Sequence, residues 1–245
     1  MARRKEAGTL KLCILSAALI GGLALPAQAD DKKLELSGFA NFTTDYMFRS
    51  ISNTNNGPAV QAELDATYGI FYVGTWGSNT AFGDNIELDY YAGIAPTWHN
   101  ITFDVAGLYY TFPGADFNDY FELKTGASWS GDAWSFGVNN YYSPDFFQAF
   151  GESDAIEGNV GYAFGGKLLN FFAPSVSGTL GFQSYEQVAS DYVYWNAGLT
   201  LGFLDHWEAD IRYYDTDYNT TECAINSGNR NACDARVVGS IKASF

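Results

Sequence analysis

The feature that most constrains this chain is a side-chain alternation of period two that recurs in twelve segments between turn-forming residues. Successive side chains on a strand point to opposite faces, so the pattern gives each segment one apolar and one polar face. The segments run near 34–47, 59–68, 70–78, 85–94, 101–112, 119–129, 133–142, 155–164, 175–184, 192–203, 208–214 and 235–245. In the second, Val60, Ala62, Leu64, Ala66 and Tyr68 alternate with Gln61, Glu63, Asp65 and Thr67. In the tenth, Val193, Trp195, Ala197, Leu199, Leu201 and Phe203 alternate with Tyr194, Asn196, Gly198 and Thr200.

The connections alternate as well. Those at 48–58, 79–84, 113–118, 143–154, 185–191 and 215–234 are generally longer and polar. Those at Gly69, 95–100, 130–132 and 204–207 are short, and 165–174 is a longer, partly apolar exception. Long loops at one end and short turns at the other predict an all-β, antiparallel, up-and-down transmembrane barrel of about twelve strands. Each segment is close to the roughly 9–11 residues that a tilted strand needs to cross a bilayer. An even strand count puts both termini at the short-turn, periplasmic end, and the last strand must pair with the first, because open edges are not tolerated in hydrocarbon. Val237, Ile241 and Phe245 would then face lipid, with Phe245 as a terminal aromatic assembly signal. Arg236 and Lys242 would face the lumen.

Pro58, Pro96, Pro113, Pro144 and Pro174 fall at strand edges or in connections, where a missing N–H breaks no ladder. Trp76, Trp98, Trp129, Trp134, Trp195 and Trp207 fall at strand ends or in turns, the positions expected of interfacial aromatic girdles.

The first 29 residues read as a cleaved secretory signal. Arg3, Arg4 and Lys5 precede the apolar stretch Leu12–Leu25, and Ala27-Gln28-Ala29 is a small-residue cleavage site. Residues 30–245 then form a single barrel domain, and Cys13 leaves with the leader. The whole chain carries a formal charge of −15. The leader holds four of its bases and one of its acids, so the remainder is more acidic still, which argues against nucleic acid as a partner. Cys223 and Cys233 remain, and an even count in an exported chain predicts a disulfide.

The stretch Thr44-Asp45-Tyr46-Met47-Phe48-Arg49-Ser50-Ile51-Ser52, followed by Pro58-Ala59-Val60-Gln61 and by Gly69-Ile70-Phe71-Tyr72-Val73-Gly74-Thr75-Trp76-Gly77-Ser78-Asn79, resembles the opening of the TorF-type porins. ELDYYAG at 87–93, YYTFPG at 109–114 and the closing strand extend the similarity over nearly all of residues 30–245. Ser50 stands where that family's pattern has glycine. The resemblance implies a porin-like barrel without naming a solute.

Other chemistry is sparse. GYAFGGKL at 161–168 nearly matches a phosphate-binding loop, but Leu168 replaces the hydroxyl that would hold a metal, and a strand-to-turn context replaces strand-to-helix. His99 and His206 both fall in short turns, where no serine accompanies them for a hydrolytic triad. No enzymatic role, cofactor or metal site is expected.

The charged positions on the polar faces are the candidate pore lining: Asp45, Glu63, Asp65, Glu87, Asp89, Asp104, Glu122, Lys124, Glu157, Glu208, Asp210, Arg212, Arg236 and Lys242. Acids dominate the early strands and bases gather on the last two. Closure of the barrel would bring Arg236 toward Asp45 near the outer end. Such charges either tune selectivity or only solvate a polar interior. The expected function is an outer-membrane channel of a Gram-negative bacterium for passive diffusion of small polar solutes or ions, preferring cations. Its expected partners are outer-membrane lipid and lipopolysaccharide, the barrel-assembly machinery and the solutes themselves. The alternative is a non-conducting structural or adhesive barrel acting through its loops. Twelve strands enclose either a narrow pore or a filled core, and Tyr91, Tyr110, Tyr194 and Tyr214 are placed to crowd it.

Overall fold

The structure, a computed structural model, describes residues 33–83, 85–115 and 118–245, so the expected leader at 1–29 and Cys13 lie outside it. Twelve long strands form the wall: β1 (Leu34–Thr43), β2 (Ala59–Tyr68), β3 (Phe71–Asn79), β4 (Ile86–Ile94), β5 (Ile101–Thr111), β6 (Tyr120–Ser130), β7 (Trp134–Ser143), β8 (Ser153–Ala163), β9 (Ala173–Tyr185), β10 (Tyr192–Phe203), β11 (Trp207–Thr216) and β12 (Arg236–Ser244). Each pairs antiparallel with its sequence neighbours. The sheet closes because β12 pairs with β1, in the register Phe39↔Ser244 to Thr43↔Ser240. The Gly38 N–H donates to the Phe245 carbonyl at 3.3 Å, and the Phe245 N–H donates to the Gly38 carbonyl at 3.0 Å, which extends the seam one step further.

Alternation now has a physical consequence. Val60, Leu64, Phe103, Val105, Phe136, Val138, Ile156, Leu180, Ile211 and Val237 stand exposed on the outer face. Glu87, Asp89, Glu122, Gln183, Lys124 and Arg212 are buried inside. This inverts the usual distribution of a water-soluble protein, in which large apolar patches are covered and charges are solvated.

The expected asymmetry of the connections holds. Segments 44–58, 80–83, 112–115, 144–152, 186–191 and 217–235 lie at one end, and the shorter 69–70, 95–100, 131–133 and 204–206 lie at the other. The 164–172 connection is again the exception, tightened by a bridge between Leu168 and Phe172. The strands β1 and β12 start and finish, respectively, at the short-turn end.

Two sequence expectations need correction. The first strand stops at Thr43 rather than 47, because Met47–Phe48 pairs with Ile51–Ser52 in a small hairpin of its own. Trp76 does not join an outer girdle. It points inward, is 3% exposed, and its ring lies 5.2 Å from that of Tyr46. By contrast Trp98, Trp129, Trp134 and Trp207 do present exposed rings near the short-turn end.

A plugged lumen as the candidate functional site

The 44–58 connection does not stand out from the barrel mouth but turns inward. Its tip needs two successive left-handed residues, and Arg49 (φ 46°) and Ser50 (φ 62°) supply them. That conformation is costly for residues with a Cβ, which is why glycine suits the position Ser50 occupies. Ser50 Oγ donates to the Trp195 carbonyl at 3.1 Å, and the Tyr192 hydroxyl donates to the Arg49 carbonyl at 3.2 Å, so the strained tip is held by β10. Tyr46, Met47 and Ile51 are buried beneath it.

From this tip the Arg49 side chain reaches the far wall. Its Nη2 lies 2.8 Å from Oε1 and 2.9 Å from Oε2 of Glu122 on β6. Its Nη1 donates to Gln183 Oε1 on β9 at 2.7 Å. The guanidinium carbon sits 5.1 Å from the ring centroid of Tyr141 on β7 and 5.9 Å from that of Phe146 in the 144–152 connection. Phe48 covers it from its own hairpin at 4.7 Å. The Tyr110 hydroxyl on β5 donates to Glu122 Oε2 at 2.9 Å, and Gln183 Nε2 donates to Ser153 Oγ at 3.1 Å, so both acceptors are fixed in orientation. One hairpin thus touches β3, β5, β6, β7, β9 and β10, which places it across the lumen. Tyr91, Tyr110, Tyr194 and Tyr214 are all buried there, so this half of the lumen is filled.

A second element covers the plug. Thr220–Ser227 forms the only α-helix among the described residues, α1. Asn219 accepts from the N–H groups of Thr221 and Glu222, and Glu222 returns a bond to the Asn219 N–H, completing a capping box. Gly228 ends the helix in the left-handed region, and the Cys223–Cys233 disulfide ties it to the chain beyond. This lid holds the hairpin directly: the Ser52 N–H donates to the Ala232 carbonyl at 2.9 Å, and Asn229 bonds Asn55. The expected disulfide is therefore present, but the polar loop around it contains a helix that strand periodicity could not reveal. The tetrapeptide Asn219-Thr220-Thr221-Glu222 was the signal for it.

Among the described residues there are five ion pairs, all with interior side chains. Arg49–Glu122 (2.8 Å), Lys124–Asp104 (2.7 Å), Arg212–Asp210 (3.1 Å), Arg236–Asp45 (2.8 Å) and Lys242–Glu208 (2.7 Å) couple five bases to five acids. Barrel closure does bring Arg236 beside Asp45, while Asp45 itself lies just past β1 in the hairpin connection, where it also accepts from Ser52 and Thr54. Glu63, Asp65, Glu87, Asp89 and Glu157 have no base in these pairs. Tyr91 donates to Asp65 at 2.6 Å and Tyr194 to Glu157 at 2.8 Å. Among the described residues, Asp89, 1% exposed, has no hydrogen-bond partner on either carboxylate oxygen, and neither has Glu87 Oε2. A buried carboxylate without a partner is costly to keep charged, so this corner of the lumen is one that a cation would relieve.

His99 and His206 lie in short turns, and no cluster of three metal-ligating side chains exists among the described residues. Arg49 is the residue that pattern reading missed as a site. Its side chain acts 73 positions away from its partner, a relationship that no local spacing encodes.

Comparison with known proteins fits the architecture. A family model described as "Bacterial protein of unknown function (Gcw_chp)" matches residues 27–245. No curated protein matches the sequence. Among solved structures, the NanC porin in a rhombohedral crystal form is similar over 86% of this chain and 99% of its own, at 13% identity and a TM-score of 0.54. A porin refined at 1.8 Å resolution superposes more loosely, over 87% of this chain and 100% of its own, at 12% identity and a TM-score of 0.42. The Salmonella typhi OmpF complex with daunomycin covers 87% and 98%, at 10% identity and a TM-score of 0.44. At these identities the likeness concerns the fold alone.

Proposed function

Because this chain belongs to the Gcw_chp family of bacterial proteins of unknown function, we propose its function from its own geometry. The protein is an outer-membrane channel for passive diffusion of small polar solutes or ions, preferring cations, whose resting state is closed by the 44–58 hairpin. The carrying observation is the inverted barrel: an exposed apolar belt outside, and inside it ten carboxylates against the five bases Arg49, Lys124, Arg212, Arg236 and Lys242. An apolar belt around a closed sheet suits lipid as solvent, since every backbone polar group is satisfied within the sheet. The interior acids Asp45, Glu63, Asp65, Glu87, Asp89, Asp104, Glu122, Glu157, Glu208 and Asp210 are the pore-lining set, with Lys124, Arg212, Arg236 and Lys242.

In this reading residues 1–29 export the chain and are removed, and residues 30–245 form one barrel. The barrel sits in the outer membrane of a Gram-negative bacterium, with both termini in the periplasm and the lid outside. Phe245 serves its insertion by the barrel-assembly machinery, and lipid and lipopolysaccharide surround the belt. The similarity of the 44–79 stretch to the TorF-type porins supports the same function. No catalytic role is assigned.

The hairpin also favours a second reading, a barrel that never conducts and acts through its lid and loops. Single-channel recording of the refolded protein in a planar bilayer under a salt gradient separates the two. Steps with a cation-selective reversal potential, larger in Arg49→Ala, are expected. A folded barrel in which both wild type and Arg49→Ala stay silent would move the function to the loops.

A further inference from the structure

We infer that the box closed around Arg49 is a guanidinium-binding subsite of the lumen, with Arg49 as its built-in occupant and soluble guanidinium-bearing cations as the solute class it receives. The inference rests on the channel reading for its biological use, but its chemistry stands on the box itself.

The wall supplies everything a planar cation needs. Glu122, fully buried, gives charge, and Gln183, equally buried, gives a neutral acceptor on a different strand. These two engage two different nitrogens of one guanidinium, Nη2 and Nη1, at 2.7–2.9 Å. A planar fork with donors fixed in direction satisfies such a pair of acceptors, whereas a compact ammonium of one nitrogen does so poorly. Tyr141 and Phe146 present ring faces to the same carbon, adding cation–π attraction in a desolvated place. Tyr110 and Ser153 hold the two acceptors from behind. Of these residues only Arg49 and its neighbour Phe48 belong to the hairpin. The remaining walls come from the barrel and the 144–152 connection, so removal of the arginine side chain vacates a site whose other groups stay in place.

The hairpin presents its own guanidinium to the box in a fixed geometry, so a free cation of the same shape occupies the box only where the arginine side chain is displaced or absent. A solute bearing a guanidinium that enters the vacated box would find a binding step in the lumen and, while bound, keep the latch from closing.

The test uses Arg49→Ala in planar bilayers with guanidinium chloride, tetramethylammonium chloride and sodium chloride as probes. Guanidinium should block Arg49→Ala at a concentration about tenfold below the other two, the factor contributed by hydrogen bonds to a charged group. The difference should vanish in Arg49→Ala/Glu122→Gln. Equal block by all three cations, or a block that survives in the double variant, would overturn the subsite. If Arg49→Ala is folded but silent, the channel reading fails, and the subsite is then judged by heat-modifiable gel migration. Guanidinium at low millimolar concentration should raise the unfolding temperature of Arg49→Ala above the value in sodium, and no rise counts against the site. If Arg49→Ala refolds poorly, guanidinium should restore its yield where tetramethylammonium does not, and failure of that rescue rejects the proposal.

Discussion

Arg49 and Glu122, 73 residues apart in sequence, meet inside the barrel through one guanidinium nitrogen placed 2.8 and 2.9 Å from the two carboxylate oxygens. Both side chains are almost without solvent contact, at 4% and 0% exposure. Removing one partner of such a pair leaves the other charged and unpaired, which typically costs about 3–5 kcal/mol, whereas replacing both by apolar groups is far milder. Glu122→Ala should therefore lower the urea midpoint for release of the hairpin by more than the double replacement Arg49→Met/Glu122→Leu does. Protease cleavage within 44–58, followed against urea, reports that midpoint. If the double variant proved the more damaged, the pair would not be what seats the hairpin.

The lid gives a redox-dependent prediction. Cys223 and Cys233 close a short loop that carries Ala232 and Asn229, the residues that hold Ser52 and Asn55. Opening a loop of this length releases about 3 kcal/mol of chain-entropy constraint. The loss falls on the lid, because β11 and β12 stay paired along their length. Reduction, or Cys223→Ser/Cys233→Ser, should leave barrel unfolding on a heat-modifiable gel almost unchanged. Hydrogen exchange at the Ser52 N–H should quicken by an order of magnitude or more. Unchanged protection at Ser52 would show that the hairpin holds without its cover.

The wall was legible in the sequence because period-two patterning is a local signal, and lipid-facing and lumen-facing positions of a barrel must alternate. Positions such as Val60 and Glu63 declare their side by parity alone. The plug was not legible for the same reason. Phe48-Arg49-Ser50 stood out only through its resemblance to a family pattern. Nothing local told that the chain there folds inward onto Glu122 and Gln183. Trp76 misled because a strand-end position suits an outer girdle and an inward contact equally. Only the turn of the hairpin, which brings Tyr46 beneath it, decides between them. The helix α1 is hidden in a different way, because its capping box sits in a stretch whose composition is that of a polar loop.

Asp89 makes a prediction about charge. Its two oxygens have no hydrogen-bond partner among the described residues, so the carboxylate adds no hydrogen bond to the fold. Asp89→Asn, close in shape, should keep or raise the unfolding temperature, and Glu87→Gln/Asp89→Asn should move the reversal potential toward anions. Destabilisation by Asp89→Asn would mean that the carboxylate has a stabilising partner in solution. An unmoved reversal potential would remove these two residues from the selectivity of the pore.

The seam between β1 and β12 carries the last prediction. Gly38 and Phe245 exchange backbone hydrogen bonds at 3.3 and 3.0 Å, and the Phe245 ring lies over Gly38 so closely that a Cβ there would stand 2.9 Å from its Cζ. The same Cβ would collide with the Glu63 carbonyl on β2. Backbone cannot yield as a flexible side chain can, so Gly38→Val should strain the β1–β2 ladder as well as displace the aromatic ring. Phe245→Ala removes the ring but leaves every ladder bond available. Gly38→Val should therefore slow barrel closure in detergent-assisted refolding and lower the final yield, while Phe245→Ala should lose only the modest packing of a ring that is 71% exposed, about 1 kcal/mol or less. Time courses of heat-modifiable migration distinguish the two effects. If Phe245→Ala slowed closure as much as Gly38→Val, the ring itself, rather than the close approach of three backbones at Gly38, would set the rate at which the barrel seals.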